Sequence, residues 1–352
     1  MSAPSSAGAV RTAGRPGAPG LTDRRRWAAL GLALAGLAVA VVASVVLGAR
    51  AVPLHDVLPA LLAPDPTDVD HTVVASLRVP RTIIGILAGG AFAAAGALMQ
   101  GLTRNPLADP GLLGVNAGAS LAVVVAVMML GAVRPSEFVW FALAGAAAAA
   151  VLVLVVGARG PGATPTRLAL AGAALTAGLT SLITVVVVTD PQAFDAYRFW
   201  VAGSLTARDL DAVGALAPFL AAGFVLAALA ARPLDVLVLG ADTARGLGQH
   251  VGRARALVVG AVLLLSGSAT ALAGPVVFVG LVVPHAVRRV ARADHRWLVA
   301  LSAPLGAALL LVADVVGRLV APPGEIEAGL VVAFVGAPVM IALVQRTRMV
   351  GP

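Results

Sequence analysis

Long runs of apolar residues alternate along the chain with short polar connections. The first run, Trp27–Ala49, holds 23 residues and no charged side chain. At about 1.5 Å of helical rise per residue it reaches roughly 34 Å, enough to cross a hydrocarbon core of about 30 Å. Nine more runs follow, and the pattern predicts ten membrane-spanning helices at 27–49, 82–102, 112–132, 138–157, 168–189, 211–231, 254–274, 276–291, 297–318 and 328–345. Small residues recur at every fourth position, as in Gly85, Gly89, Ala93 and Ala97. That spacing lets helix backbones approach closely in a medium that supplies no hydrophobic drive between helices. Pro218, Pro284, Pro304 and Pro338 fall inside spans. They would break soluble helices, but a bundle tolerates them where neighbours satisfy the freed carbonyl.

The ends read differently. Residues 1–26 are mostly Ala, Gly, Pro and Ser with arginines, closing on Arg24, Arg25 and Arg26. They carry too little apolar surface to order themselves, so a flexible cytosolic tail is expected. A secretory signal competes for the first run, since Ala49-Arg50-Ala51 resembles a cleavage site. Signal cores run only about 7–15 residues, and an uncleaved first span is favoured. The expected organisation is a tail at 1–26, one membrane domain at 27–346 and a short cytosolic tail at 347–352.

Composition supports lipid as the surroundings. Hydrophobic residues make up 59% and charged ones 12%, against roughly a quarter charged in soluble proteins. The net charge of +8 comes from 25 basic residues, all of them arginine. These sit at the ends of apolar runs rather than interleaved with aromatics on a solvated module, which argues against nucleic acid. With the N-terminus inside, 18 of the 25 arginines fall in cytosolic segments, while 12 of the 17 acidic residues fall outside or near the outer interface; the positive-inside bias then places both termini in the cytosol.

The same inventory removes chemistry. Without lysine there is no phosphate-loop lysine and no Schiff base. Without cysteine there is no disulfide or thiolate site, and the five histidines lie far apart. No catalytic residue, metal site or cofactor is expected. Ion-coupled carriers hold ionisable groups near mid-bilayer. Here, apart from Asp211 at the first position of its span, Asp314 is the single acidic residue within a span, near its outer end and four residues before Arg318, a spacing suited to a helix-end ion pair. A transporter built this way needs an external motor. An ion-coupled secondary carrier and a non-transporting scaffold are the competing classes.

Polar signals concentrate in four places. Thr176, Thr180 and Thr184 share one face of the fifth span, either bonding carbonyls one turn back or forming a weakly polar wall. From Gly101 to Val115, two prolines with Asn105 and Asp109 force a sharp, internally bonded break. Between Arg232 and Arg255, the run Leu239, Gly240, Ala241, Asp242, Thr243, Ala244, Arg245, Gly246, Leu247, Gly248 reads as a short helix. Asp242 or Thr243 is a candidate cap, Gly246 or Gly248 a stop, and Leu247 an apolar contact. On the outer side, Arg78 and Arg81 open the second span, where cations oppose the helix dipole unless a carboxylate compensates.

Four stretches carry a resemblance: RVPRTIIGILAGGAFAAAGALMQGLTRNPLADPGLLGVNAG (78–118), LGADTARGLGQHVGRARAL (239–257), AGPVVFVGLVVPHAVRRVARADHRWLVALSAPLGA (273–307) and LVADVVGRLVAPPGEIEAGLVVAFVGAPVMIAL (311–343). With NPLADPG, GLVVPH and the ADHRW turn in this order, the chain resembles the iron-siderophore and cobalamin (FecCD-type) permeases of ATP-binding-cassette importers, from about residue 50 to 346. The resemblance implies an all-α integral membrane fold of ten transmembrane helices, with spans 2–5 and 7–10 as an inverted repeat. It implies a second permease protomer, identical or related, two cytosolic ATP-binding subunits that perform the hydrolysis, and an extracytoplasmic substrate-binding protein. Carried over by position, Arg78, Arg81 and Arg318 match binding-protein docking residues, Leu239–Gly248 the ATPase-coupling segment, and Asn105, Leu107 and Thr166 a cytosolic gate. The implied cargo is a ferric siderophore, with cobalamin and haem as alternatives. Glu325 and Glu327 depart from the pattern beside Arg318.

Overall fold

A computed structural model describes residues 21–131, 135–158, 165–206, 210–322 and 324–348. The described residues are helices and their connections. In chain order they are α1 (Leu21–Val46), α2 (Leu54–Leu62), α3 (Val69–Thr72), a wider helical turn (Val73–Arg78) running into α4 (Val79–Thr103), a 3₁₀ turn (Pro110–Leu113), α5 (Val115–Leu130), α6 (Pro135–Ala158), α7 (Pro165–Thr189), α8 (Pro191–Val201), α9 (Leu210–Leu237), α10 (Ala241–Gly246), α11 (Val251–Ala273), α12 (Val279–Ala291), α13 (His295–Val320) and α14 (Ala328–Arg348). Every expected span has a helix. The expected tails lie outside the described residues except for Leu21–Arg26, already part of α1, and Thr347–Arg348, the end of α14. Helices α9, α12, α13 and α14 continue through their internal prolines.

Among the described residues seven helical stretches are long and apolar enough to cross a membrane, and 115–130 and 328–342 are shorter apolar helices. The expected span at 276–291 differs most. Its helix, α12, has 13 residues, about 20 Å of rise, and follows a non-helical stretch from Gly274 to Phe278. Gly280 in its first turn lies against Gly96 of α4, where a Cβ would run into the Gly280 backbone. Helix α12 therefore starts beside the second half of α4, and the irregular backbone is tolerated where it is buried in protein, as at Gly274 and Val276. Helix α5 likewise has 16 residues and begins after an irregular stretch. The order of one long helix, a break, a short helix and two long helices occurs twice, in α4–α7 and α11–α14. Those halves correspond to the expected repeat.

Helix α4 is the core strut. Its Gly85–Gly89–Ala93 face meets Leu311, Gly306 and Ala307 of α13. Helices α1 and α7 stand at the periphery, and α1 presents Trp27, Leu32, Val39 and Val42 outward. The face where α1 begins is called proximal below, and its opposite distal.

Candidate functional site

At the distal face α1 ends and α4 begins, and three guanidiniums lie between them. Arg78 donates to the carbonyls of Val45 (2.9 Å), Val46 (2.6 Å) and Arg50 (2.5 Å). Arg318 donates to the carbonyls of Ser44 (3.0 Å) and Leu47 (2.9 Å) and pairs with Asp314 at 2.9 Å. These cations occupy the orphan carbonyls and negative dipole end of α1. Arg81 pairs with Asp314 at 2.7 Å and with Glu325 at 2.6 Å. The carboxylates that compensate Arg81 at the start of α4 are thus supplied by α13 and by the loop before α14. Asp314 is fully buried and holds two arginines.

The structure places these three arginines inside the chain rather than on its surface. Arg78, Arg81 and Arg318 are 4%, 7% and 3% exposed, with internal partners throughout, so in this conformation they are not free docking cations. They line a cavity of about 240 Å³ together with Arg50, Thr206 and Glu325. Its rim carries the more exposed groups: the Arg50 side chain, 57% accessible and paired with Asp70 at 2.7 Å, and Glu325 at 31%. The expected Asp314–Arg318 ion pair is present.

At the proximal face the break after α4 is held by its own polar groups, as its composition predicts. Arg104 takes a left-handed conformation (φ 52°) at the end of α4. Asn105 Oδ1 accepts from the Leu107 amide at 2.9 Å, and Asp109 Oδ1 accepts from Gly111 at 2.8 Å. Leu107 is exposed beside fully buried Ala108. Burial pushes the Asp109 carboxyl above the usual carboxylate range, with the Gly111 amide opposing. An acid whose pKa rises on folding stabilises the fold least once pH exceeds its folded value. Asp109→Asn should therefore melt at or above the wild-type temperature at pH 7. That advantage should vanish below about pH 4, where the carboxyl is neutral folded or unfolded; tryptophan-fluorescence melting against pH checks it.

The 239–248 segment forms α10, a six-residue helix. Neither Asp242 nor Thr243 caps it. Gly240 is the N-cap at φ 116°, and Asp242 in the first turn pairs with Arg245 at 2.5 Å. At the far end Gly248 is left-handed at φ 79°. The amides of Gly248 and Gln249 reach back to Arg245 (2.9 Å) and Ala244 (2.9 Å), a Schellman closure. Ala244 is buried, while Leu239 and Leu247 are 64% and 65% exposed.

On α7, Thr180 and Thr184 are exposed and Thr176 is half-buried. Thr184 donates to the Thr180 carbonyl at 2.9 Å and Ser181 to Ala177 at 3.0 Å, the local bonding anticipated. Thr166 falls in the first turn of α7, with its side chain outside the described residues. Sequence reasoning passed over a pair that joins distant helices: Asp235 of α9 accepts from His295 at the start of α13. It also passed over Gln100, which bridges α4 to the Gly280 carbonyl (3.0 Å) and to Arg288 (3.0 Å). The ADHRW turn was the available signal for the first. No group of three or more His, Cys, Asp or Glu side chains among the described residues is placed to hold a metal.

A sequence model of the FecCD transport family matches residues 36–346. The chain belongs to the FecCD transport family. Within this family it is 46% identical over 312 residues to the ferric enterobactin transport system permease protein FepD of Escherichia coli, covering 88% of this chain and 92% of that protein. It is 38% identical over 307 residues to the iron(3+)-hydroxamate import system permease protein FhuB of Bacillus subtilis, covering 87% and 79%. A solved inward-facing metal-chelate type ABC transporter has the same fold, with a TM-score of 0.77 and 25% identity over 90% of this chain and 98% of that one. The FecCD assignment spans both faces just described, together with α4 and α13 between them.

Proposed function

We propose that this FecCD chain is the membrane permease subunit of an ATP-binding-cassette importer whose cargo is a ferric siderophore, and that it sits in the cell membrane with its proximal face and both termini in the cytosol. The observation that carries the reading is the contrast between the two faces. The proximal face displays a rigid short helix with two exposed leucines, Leu239 and Leu247, a form suited to a protein groove. The distal face holds a cavity lined by internally paired arginines. Power enters at the first and cargo at the second.

In this reading α10 with its flanks, Leu239–Gly248, seats in a cytosolic ATPase subunit, which performs the hydrolysis. A substrate-binding protein docks at the distal rim. There Arg78, Arg81 and Arg318 hold the ends of α1, α4 and α13 in register, and a docking carboxylate competes with Glu325 for Arg81. A second protomer, identical or related, covers α7, so that Thr176, Thr180 and Thr184 face the pathway, with Asn105 and Leu107 at its cytosolic end. The ferric siderophore assignment rests on the named cargo of the relatives. The test is uptake in proteoliposomes containing this permease, its partner protomer, the ATPase subunits and the binding protein. ATP-dependent accumulation of iron-loaded siderophore is expected, with none when the ATPase is omitted. Accumulation by the permease alone would overturn the reading.

A further inference from the structure

The ADHRW turn makes more contacts between elements than a connection between two spans requires. Asp294 accepts from the Arg296 amide at 3.0 Å and lies 3.6 Å from the Arg26 guanidinium of α1, and Trp297 meets Trp27 edge-on with ring centroids 4.9 Å apart. Its central residue, His295, is 4% exposed. Both its backbone amide (2.9 Å) and its ring Nδ1 (2.6 Å) reach one oxygen, Oδ1 of Asp235. A carboxylate only accepts, so Nδ1 carries the hydrogen. The opposite edge of the ring, Nε2, is buried against α4, where a Cβ on Gly101 would stand 2.5 Å away. Glycine at 101 is what lets the ring lie on the α4 backbone. One imidazole thus touches the last turns of α9 and α4 and forms the first residue of α13.

Asp235 in turn is rigidly linked to α10. The Gln249 side chain donates to the Pro233 carbonyl at 2.8 Å, its amide closes α10 on Ala244, and the Gly240 amide bonds the Leu237 carbonyl at 3.1 Å. The end of α9 and the whole of α10 therefore form one clasped body, with Asp235 as its contact to His295. Beyond His295, α13 and α4 pack along their length and are locked at the distal end by Arg81 and Asp314. We infer that Asp235 and His295 are positioning residues for transport: their bond is the joint through which displacement of α10 reaches the α4–α13 pair. This rests on the reading of α10 as the ATPase-coupling helix.

The complete complex in proteoliposomes tests it, with three readouts: ATPase copurification, ATP hydrolysis, and cargo moved per ATP. His295→Ala is expected to copurify with the ATPase and hydrolyse ATP as wild type does, while cargo per ATP falls at least tenfold. His295→Asn, whose amide can still donate to Asp235, should recover most of the loss. Asp235→Ala removes only the partly exposed acceptor and leaves the ring packing in place, so it covers the case in which the alanine at 295 impairs insertion. It should reproduce the uncoupling, and the double variant should be no worse than either single one. Wild-type cargo per ATP in Asp235→Ala, additive losses, or equal falls in hydrolysis and transport without rescue by asparagine would each overturn the joint. Failure of the α10 reading looks different: ATPase copurification would then survive disruption of Leu247.

Discussion

Asp314→Ala should be the most damaging single substitution at the distal face, costing about 3–5 kcal/mol of stability, the range found when one partner of a buried ion pair is removed. The carboxylate is fully buried and holds Arg81 from α4 and Arg318 from its own helix. Deleting it leaves two buried guanidiniums side by side without the carboxylate they share. Arg318 also donates to the Ser44 and Leu47 carbonyls, so its displacement loosens the end of α1 as well. Glu325→Gln makes the comparison, because that carboxylate is 31% exposed and its pair with Arg81 is partly solvated. A loss of no more than about 1 kcal/mol is expected there. Thermal unfolding in detergent, together with the amount of protein inserted in the membrane, measures both. A melting temperature for Asp314→Ala equal to that of Glu325→Gln would contradict the buried network.

Leu247→Asp should leave the fold unchanged and weaken ATPase binding by about 30-fold or more, on the order of 2 kcal/mol for a hot-spot side chain at a partner surface. Leu247 is 65% exposed, so the melting temperature should stay within about a degree of wild type. The helix does not depend on it: closure comes from Gly248 and the reach of Gln249 back to Ala244. Copurification of tagged ATPase with the variant and a titration of ATPase into nanodiscs provide the measurement. Undiminished association would remove α10 from the interface. Gly248→Ala separates shape from contact, since alanine is strained at φ 79° and should disturb the closure while leaving both leucines in place.

The proximal loop and the distal arginines show which kinds of site are legible. Asn105 and Asp109 bond amides two residues further on, so short-range sequence contains the whole interaction. The short helix at 241–246 is equally local, although its cap proved to be Gly240 rather than Asp242 or Thr243. In the sequence, Arg78 and Arg81 read as cations that need compensation at a helix start. Their partners lie well away in sequence, however: Val45 is 33 residues from Arg78, and Asp314 is 233 from Arg81. Nothing in spacing indicated that such partners would come from within the chain and so withdraw the arginines from the surface.

Apolar run length and the placement of glycine, proline and arginine determined by themselves where the ten expected spans lie and that the backbone breaks between Gly101 and Val115, though not α2, α3 or α8. Those properties follow from sums along consecutive residues, because a span is recognised by the transfer of its own side chains out of water. Tertiary structure alone decided that α12 begins beside Gly96 of α4, that the distal guanidiniums are internally paired, and that His295 joins α9 to α4 and α13. Each of those depends on which helices are neighbours. In lipid that choice is made by close backbone approach at small residues and by the need of every buried charge or polar group for a partner, and both are properties of pairs of distant segments.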